Sequence, residues 1–359
     1  MRYTFLGSTG LRVSDLALGT MTFGDDWGWG ADETTSRAVL DAFLDAGGNF
    51  VDTADIYTGG TSETLLGKFL AGRRDRVVLA TKYSISTDPS DPNAGGNQRK
   101  NLTRSLEASL RRLSTDYIDL YWSHLWDGLT PVEETLRAMD DAVRAGKILH
   151  VGFSDYPAWL VARADGLAEA VRTVRPAGIQ VEYSLANRDA ERELLPMAES
   201  LGLSVLDWSP LAGGALTGKR LQPGGTSDAP SVARADAVAH FARYRGERTD
   251  RIAREVVAVA GELEASPAQV ALAWIRHRSP LHIPIIGART ATHLADNLAA
   301  TDLQLPEQAM ARLDHVSATD LGFPLDFLQR GQDGWFGDSS VRRLDTRRPR
   351  PGHRLLGLS

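Results

Sequence analysis

The feature that most constrains this chain is an alternation. Eight short β-rich runs recur at intervals, "LALGT" (16–20), "GNFVDT" (48–53), "RVVLATK" (76–82), "DYIDLYW" (116–122), "ILHVGFS" (148–154), "GIQVEY" (178–183), "LSVLDWS" (203–209) and "LHIPIIG" (281–287), with helical segments between them. In "NLTRSLEASLRRL" the apolar positions Leu102, Leu106, Leu110 and Leu113 are three and four apart, so they share one helix face. Another helix is expected to open at Pro131, with Thr130 as its cap. Strand–helix alternation requires parallel pairing through right-handed crossovers. Eight units within about 300 residues predict a closed (β/α)₈ TIM barrel, with an open doubly wound sheet as the alternative.

Two stretches lie outside the alternation. "YTFLGSTGLRVS" reads as an N-terminal hairpin around Ser8–Gly10, placed as a plug across the barrel bottom. The segment 221–250, before the last strand, is too long for an ordinary connection and reads as a lid or insertion. With 42% apolar residues in 359, the chain can build one sizeable core, so residues 1–340 are expected to form a single domain. Residues 341–359, which include the run "RRLDTRRPRPGHR", read as a basic, flexible tail.

Composition narrows the chemistry. With no cysteine, thiolate catalysis, disulfides and cysteine-held metals are excluded. The N-terminal stretch lacks a signal-like apolar run and no eighteen apolar residues occur together, so a cytoplasmic protein is expected. A net charge of −6 argues against nucleic acid or an acidic membrane as partner. The histidines His150, His240, His277, His282, His315 and His353 show no ligand spacing, and no metal is expected.

In such barrels the carboxyl ends of the strands form the working face. Strand two ends in Asp52, with Tyr57 in the loop beyond; strand three ends in Lys82; strand four leads into "WSHLW" and His124. Each alone has an ordinary explanation as a loop cap, a surface lysine or a packed histidine. Together they occupy one rim. A lysine beside the tyrosine would favour the phenolate and lower its pKa from about 10, and a carboxylate would keep the lysine charged. A histidine could donate to a substrate oxygen as charge develops there. Such a set suits reduction of a carbonyl to an alcohol, with hydride from a bound cofactor. No G-x-G-x-x-G follows the first strand, so a Rossmann-type site is not expected.

These residues resemble the aldo-keto reductase family. The resemblance rests on Asp52 and Tyr57 in "DTADIY", Lys82 in "LATKYS" and His124 in "LYWSHLWD", with "GFSDY" (152–156), "QVEYS" (180–184), "SPLAGGALTGK" (209–219) and "PIIGARTATHLADNL" (284–298). "DDWGWGAD" and "DPNAGGNQRKNLTRSLEASLRRL" are most similar to its aryl-alcohol dehydrogenase-like branch. The resemblance implies a (β/α)₈ barrel that binds NADP(H), with Asp52, Tyr57, Lys82 and His124 as the catalytic tetrad. It further implies that Ser154, Asp155 and Gln180 hold the nicotinamide carboxamide and that Trp208 stacks on the ring. Asp155 stands where asparagine is frequent, and a carboxylate can only accept hydrogen bonds. Ser209, Leu211, Gly213 and Lys219 would cover the pyrophosphate, Arg289 would meet the 2′-phosphate and Asn297 the adenine; His293 replaces a frequent glutamine. Gly19, Thr20, Met21, Pro210, Ile286 and Gly287 complete the expected cofactor contacts.

Trp27, Trp29 and Trp126, in loops after strands one and four, are expected to join Tyr57 and His124 around a pocket for a flat, apolar carbonyl or alcohol substrate. Two other functions fit the same pattern: a cofactor-binding regulatory subunit with slow turnover, and a ketoreductase for a keto-sugar or secondary metabolite. A homo-oligomer is compatible with either.

Overall fold

The eight runs become eight strands of one closed, all-parallel barrel in the computed structural model, which describes residues 1–221 and 242–328. In chain order the barrel strands are β3 (Ala17–Gly19), β4 (Phe50–Asp52), β5 (Val78–Tyr83), β6 (Ile118–Ser123), β7 (Ile148–Ser154), β8 (Pro176–Glu182), β9 (Ser204–Trp208) and β10 (His282–Gly287). Closure through β10 pairing with β3, Ile286 opposite Leu18, rules out the doubly wound alternative. The described helices are α1 (Glu33–Asp45), α2 (Thr61–Phe69), α3 (Arg99–Leu113), α4 (Val132–Arg144), α5 (Ala158–Val171), α6 (Leu194–Leu201), α7 (Glu247–Glu262), α8 (Pro267–Arg278), α9 (Ala291–Ala299) and α10 (Glu307–Ser317). No single described helix is long and apolar enough to cross a membrane; α7 and α8 meet that test only as a pair bent by 98°.

The hairpin forms as expected, β1 (Tyr3–Phe5) against β2 (Arg12–Ser14). Its Leu6 and Val13 are fully buried against the inward-facing Phe50, Val78, Ala80, Leu120 and Ile283. Gly7 carries the close approach: it has φ +55°, its N–H donates to Ser204 Oγ at 2.7 Å, and a Cβ there would sit 2.2 Å from the Ala177 carbonyl oxygen. These contacts are made at the amino ends of the strands, so the bottom is plugged and the opposite mouth is left for chemistry.

A second apolar layer lies between strands and helices. Leu102, Leu106, Leu110 and Leu113 of α3 all turn into it, and each contributes roughly 1.5–3 kcal/mol by leaving water. Two local expectations are corrected. Pro131 is itself the cap residue of α4 rather than its first turn, because the Thr130 hydroxyl is engaged by Asp127 at 2.6 Å instead of by the helix. Residues 247–250, read as insertion, are the first turn of α7, where Glu247 and Asp250 favour the positive end of the helix dipole. Residues 222–241 of the expected insertion lie outside the described residues, as do the expected domain end near 340 and the tail 341–359.

Candidate active site

Asp52 is the last residue of β4, and the chain then turns so that Tyr57 comes back over the barrel mouth. Three consecutive left-handed residues follow Tyr57 and turn the chain into α2, Thr58 (φ 48°), Gly59 (φ 64°) and Gly60 (φ 96°). The Thr58 hydroxyl donates to the Phe23 carbonyl at 2.7 Å and accepts from the Ser62 amide at 3.1 Å, fixing the non-glycine member of the turn. Lys82 stands near the end of β5, and His124 follows β6 with its amide bonded to the Tyr83 carbonyl at 2.8 Å.

The four expected side chains meet. Fully buried, the Lys82 ammonium donates to Asp52 Oδ2 at 2.5 Å, to the Thr53 carbonyl at 2.7 Å and to the Tyr57 hydroxyl at 3.1 Å. All three of its protons are therefore used. Gln180 donates from Nε2 to the other Asp52 oxygen at 2.9 Å. The His124 ring lies edge-on to Tyr57, centroids 6.0 Å apart.

Electrostatics departs from the pairwise expectation in one respect. Burial pushes the Tyr57 phenol above its ordinary range; Lys82 pulls it down, as expected, but does not win. Tyr57 therefore keeps its proton at neutral pH. Burial alone would lower the Lys82 pKa, yet Asp52 and Tyr57 outweigh it and hold the ammonium above its usual pKa. For His124, burial and then the Lys82 cation push the imidazole well below its ordinary value, so the ring is neutral, and its Nδ1 is buried without a partner.

A cavity of about 630 Å³ runs from this cluster toward α9. Asp52, Tyr57 and His124 line it, whereas Lys82 lies behind the wall and is bonded to both Asp52 and Tyr57. Of the expected cofactor residues, Gly19, Met21, Ser154, Asp155, Gln180, Trp208, Ser209, Pro210, Leu211, Gly213, Lys219, Ile286, Gly287, Arg289, His293 and Asn297 all face it. Thr20 does not. It is fully buried, with its hydroxyl bonded to the Asp52 carbonyl at 3.1 Å and within 3.0 Å of Ser62 Oγ, so it braces the strand end.

Of the three tryptophans only Trp27 lines the cavity. Trp29 is outside the lining, its ring 5.3 Å from that of Trp27, and Trp126 instead packs edge-on against Trp159 at 6.2 Å. Ile56 and Ile85 add to the apolar wall. Neither was singled out in the sequence, although Ile56 directly precedes Tyr57.

The far end of the cavity suits anions. Burial, then the neighbouring Lys219 and Arg289 cations, lower the pKa of His293 against the opposing Asp296 carboxylate, which places the ring beside two cations. They sit by the amino end of α9, capped by Thr290. Between the two ends, Ser209, Ala212, Gly213 and Gly214 all have positive φ and curl the backbone around the cavity edge.

One buried acid behind the site was not anticipated. Asp55, within the "DTADIY" stretch, has neither oxygen hydrogen-bonded, and burial followed by the Glu63 charge pushes its carboxyl from 3.8 up to about 7. Because the folded pKa lies above the unfolded one, the stability this group confers is full below about pH 4 and is lost as pH rises through 7. Asp55→Asn is accordingly expected to gain about 1–3 kcal/mol over wild type between pH 4 and pH 8. Urea unfolding at the two pH values checks this; a difference that does not change with pH would contradict it.

Comparison with known proteins agrees with the geometry. The model of the aldo/keto reductase family matches residues 15–318, and the chain belongs to that family, as a barrel oxidoreductase. Among its relatives is norsolorinic acid reductase of Aspergillus flavus, 38% identical over 334 residues, covering 89% of this chain and 82% of that protein. The uncharacterized oxidoreductase YrpG of Bacillus subtilis is 42% identical over 328 residues, 88% of this chain and 96% of that one. Aryl-alcohol dehydrogenase [NADP(+)] of Phanerodontia chrysosporium is 33% identical over 344 residues, 90% and 88% of the two chains.

Proposed function

We propose that the protein uses NADPH to reduce an aldehyde or ketone, of aryl or other flat apolar type, to the alcohol. The observation that carries this reading is the Lys82 ammonium shared between Asp52 and Tyr57 beneath the cavity wall, with a neutral histidine beside the phenol. The donor set fits a nicotinamide dinucleotide. Ser154 Oγ is buried, unpartnered and on the cavity wall, Gln180 and Trp208 line the same cavity, and Lys219 and Arg289 supply positive charge at the far end, with a neutral His293 beside them. Arg289, a planar fork of donors, suits a 2′-phosphate, which favours NADPH over NADH.

Bound there, NADPH would supply the hydride. The protein's own contribution is the proton. Tyr57 holds it at neutral pH, as any phenol does and here more firmly because burial raises its pKa, and releases it when the substrate oxygen becomes the stronger base. Lys82 then stabilises the phenolate at hydrogen-bond distance, while Asp52, Thr53 and Gln180 keep the ammonium charged and fixed. His124, neutral, offers an N–H to the same oxygen without competing for the proton. Trp27, Ile56 and Ile85 wall an apolar seat for the substrate's body. A keto group on a larger metabolite is a second substrate reading, favoured by the name of the Aspergillus flavus relative.

The test mixes the protein with NADPH or NADH and a panel of aryl aldehydes and aryl ketones. NADPH should be consumed with at least one member, and with kcat/KM about tenfold or more above NADH. No oxidation across the panel despite cofactor binding would overturn the reading.

A further inference from the structure

Asp155 is a carboxylate at the nicotinamide end of the cavity that the proton-supply chain does not use. It follows β7 with φ 51°, its amide donates to the Gln180 carbonyl at 3.1 Å, and its Oδ1 accepts from Trp208 Nε1 at 3.1 Å. All three residues line the cavity. The other carboxylate at this end, Asp52, is cancelled by Lys82 at 2.5 Å. Asp155 has no salt bridge among the described residues. An indole N–H orients a carboxylate but leaves its charge in place, and the Lys82 and Arg243 cations act on it only from beyond ion-pair distance, so this end of the cavity carries a carboxylate that no ion pair neutralises.

We infer that Asp155, held by Trp208, makes the cofactor seat discriminate by redox state, binding the oxidised nicotinamide more firmly than the reduced one. The inference rests on the proposed dinucleotide reading. Its chemistry is simple: the nicotinamide ring is neutral when reduced and carries one positive charge once the hydride has left. A fixed carboxylate at the wall favours the second form and leaves the first nearly untouched. The bound equilibrium is thereby tilted toward oxidised cofactor and alcohol. Although the cavity leaves Asp155 accessible to water, protein encloses it, and this enclosure pushes its carboxyl up to about 6. It is still mostly ionised at pH 8.

The test is calorimetric binding of NADP⁺ and NADPH at pH 8 to wild type and Asp155→Asn. Asparagine tolerates the left-handed backbone and keeps the side-chain shape, and thermal melting reports whether the fold is retained. The expected result is a Kd ratio, NADP⁺ over NADPH, that rises about tenfold in Asp155→Asn, with the NADPH Kd within about threefold of wild type. A ratio unchanged within twofold would overturn the inference while the dinucleotide reading stands. Failure of wild type to bind either form would overturn both. Trp208→Phe provides an independent arm, since it keeps a flat ring and the carboxylate but removes the indole donor. Its ratio should rise by less than that of Asp155→Asn, because the charge stays while the bond that orients it is lost; a shift as large as that of Asp155→Asn would assign the effect to ring placement rather than charge.

Discussion

Tyr57→Phe is expected to lower kcat about a thousandfold while the Kd for NADPH changes less than threefold. The substitution removes one oxygen atom and with it the proposed proton donor, but leaves the ring that packs edge-on to His124 and faces the Lys82 ammonium 4.7 Å from its centroid. Because Lys82 also bonds Asp52 and the Thr53 carbonyl, it keeps two of its three partners and the wall keeps its shape. Stopped-flow fluorescence and steady-state turnover on the same preparation separate the two quantities. Near-normal turnover would remove Tyr57 from the chemistry.

Lys82→Met should damage both turnover and folding, for different reasons. Turnover should fall by roughly a thousandfold or more, since the phenolate left after proton transfer would have no cation to stabilise it. Stability should fall by about 3–5 kcal/mol, because Asp52, 2% exposed, would keep only the Gln180 amide against its buried charge. Adding Asp52→Asn to Lys82→Met removes that stranded charge. The double variant should regain most of the lost stability in chemical unfolding yet none of the turnover. Recovery of both would mean that the ion pair is scaffolding only.

The barrel was legible because its strands are short apolar runs with a polar residue at the end, a pattern that parallel sheets buried on both faces impose. The meeting of Asp52, Tyr57, Lys82 and His124 was legible for the same reason, since the strand ends define one rim. What the sequence hides is side-chain direction in loops. Trp27, Trp29 and Trp126 are equivalent as letters, and only packing decides that one lines the cavity, one lies against its neighbour and one pairs with Trp159. Thr20 follows Gly19 directly but points away, as alternation along an extended chain requires. The sign of the Tyr57 shift was hidden too. A neighbouring lysine can be read from strand order, whereas the burial that outweighs it is a property of the whole fold. The Asp155–Trp208 contact joins residues 53 apart; its consequence depends on which charges nearby are already cancelled.

The central claim, that this rim delivers a proton to an oxygen as a hydride reaches the adjoining carbon, is tested most directly by following the hydride. NADPH carrying deuterium on the transferring face of nicotinamide C4 is incubated with an aryl aldehyde turned over in the panel, and the alcohol is analysed by proton NMR. Deuterium on the carbinol carbon of the alcohol, one atom per cofactor consumed, is the expected result. Alcohol without label, or cofactor consumed without alcohol, would contradict it.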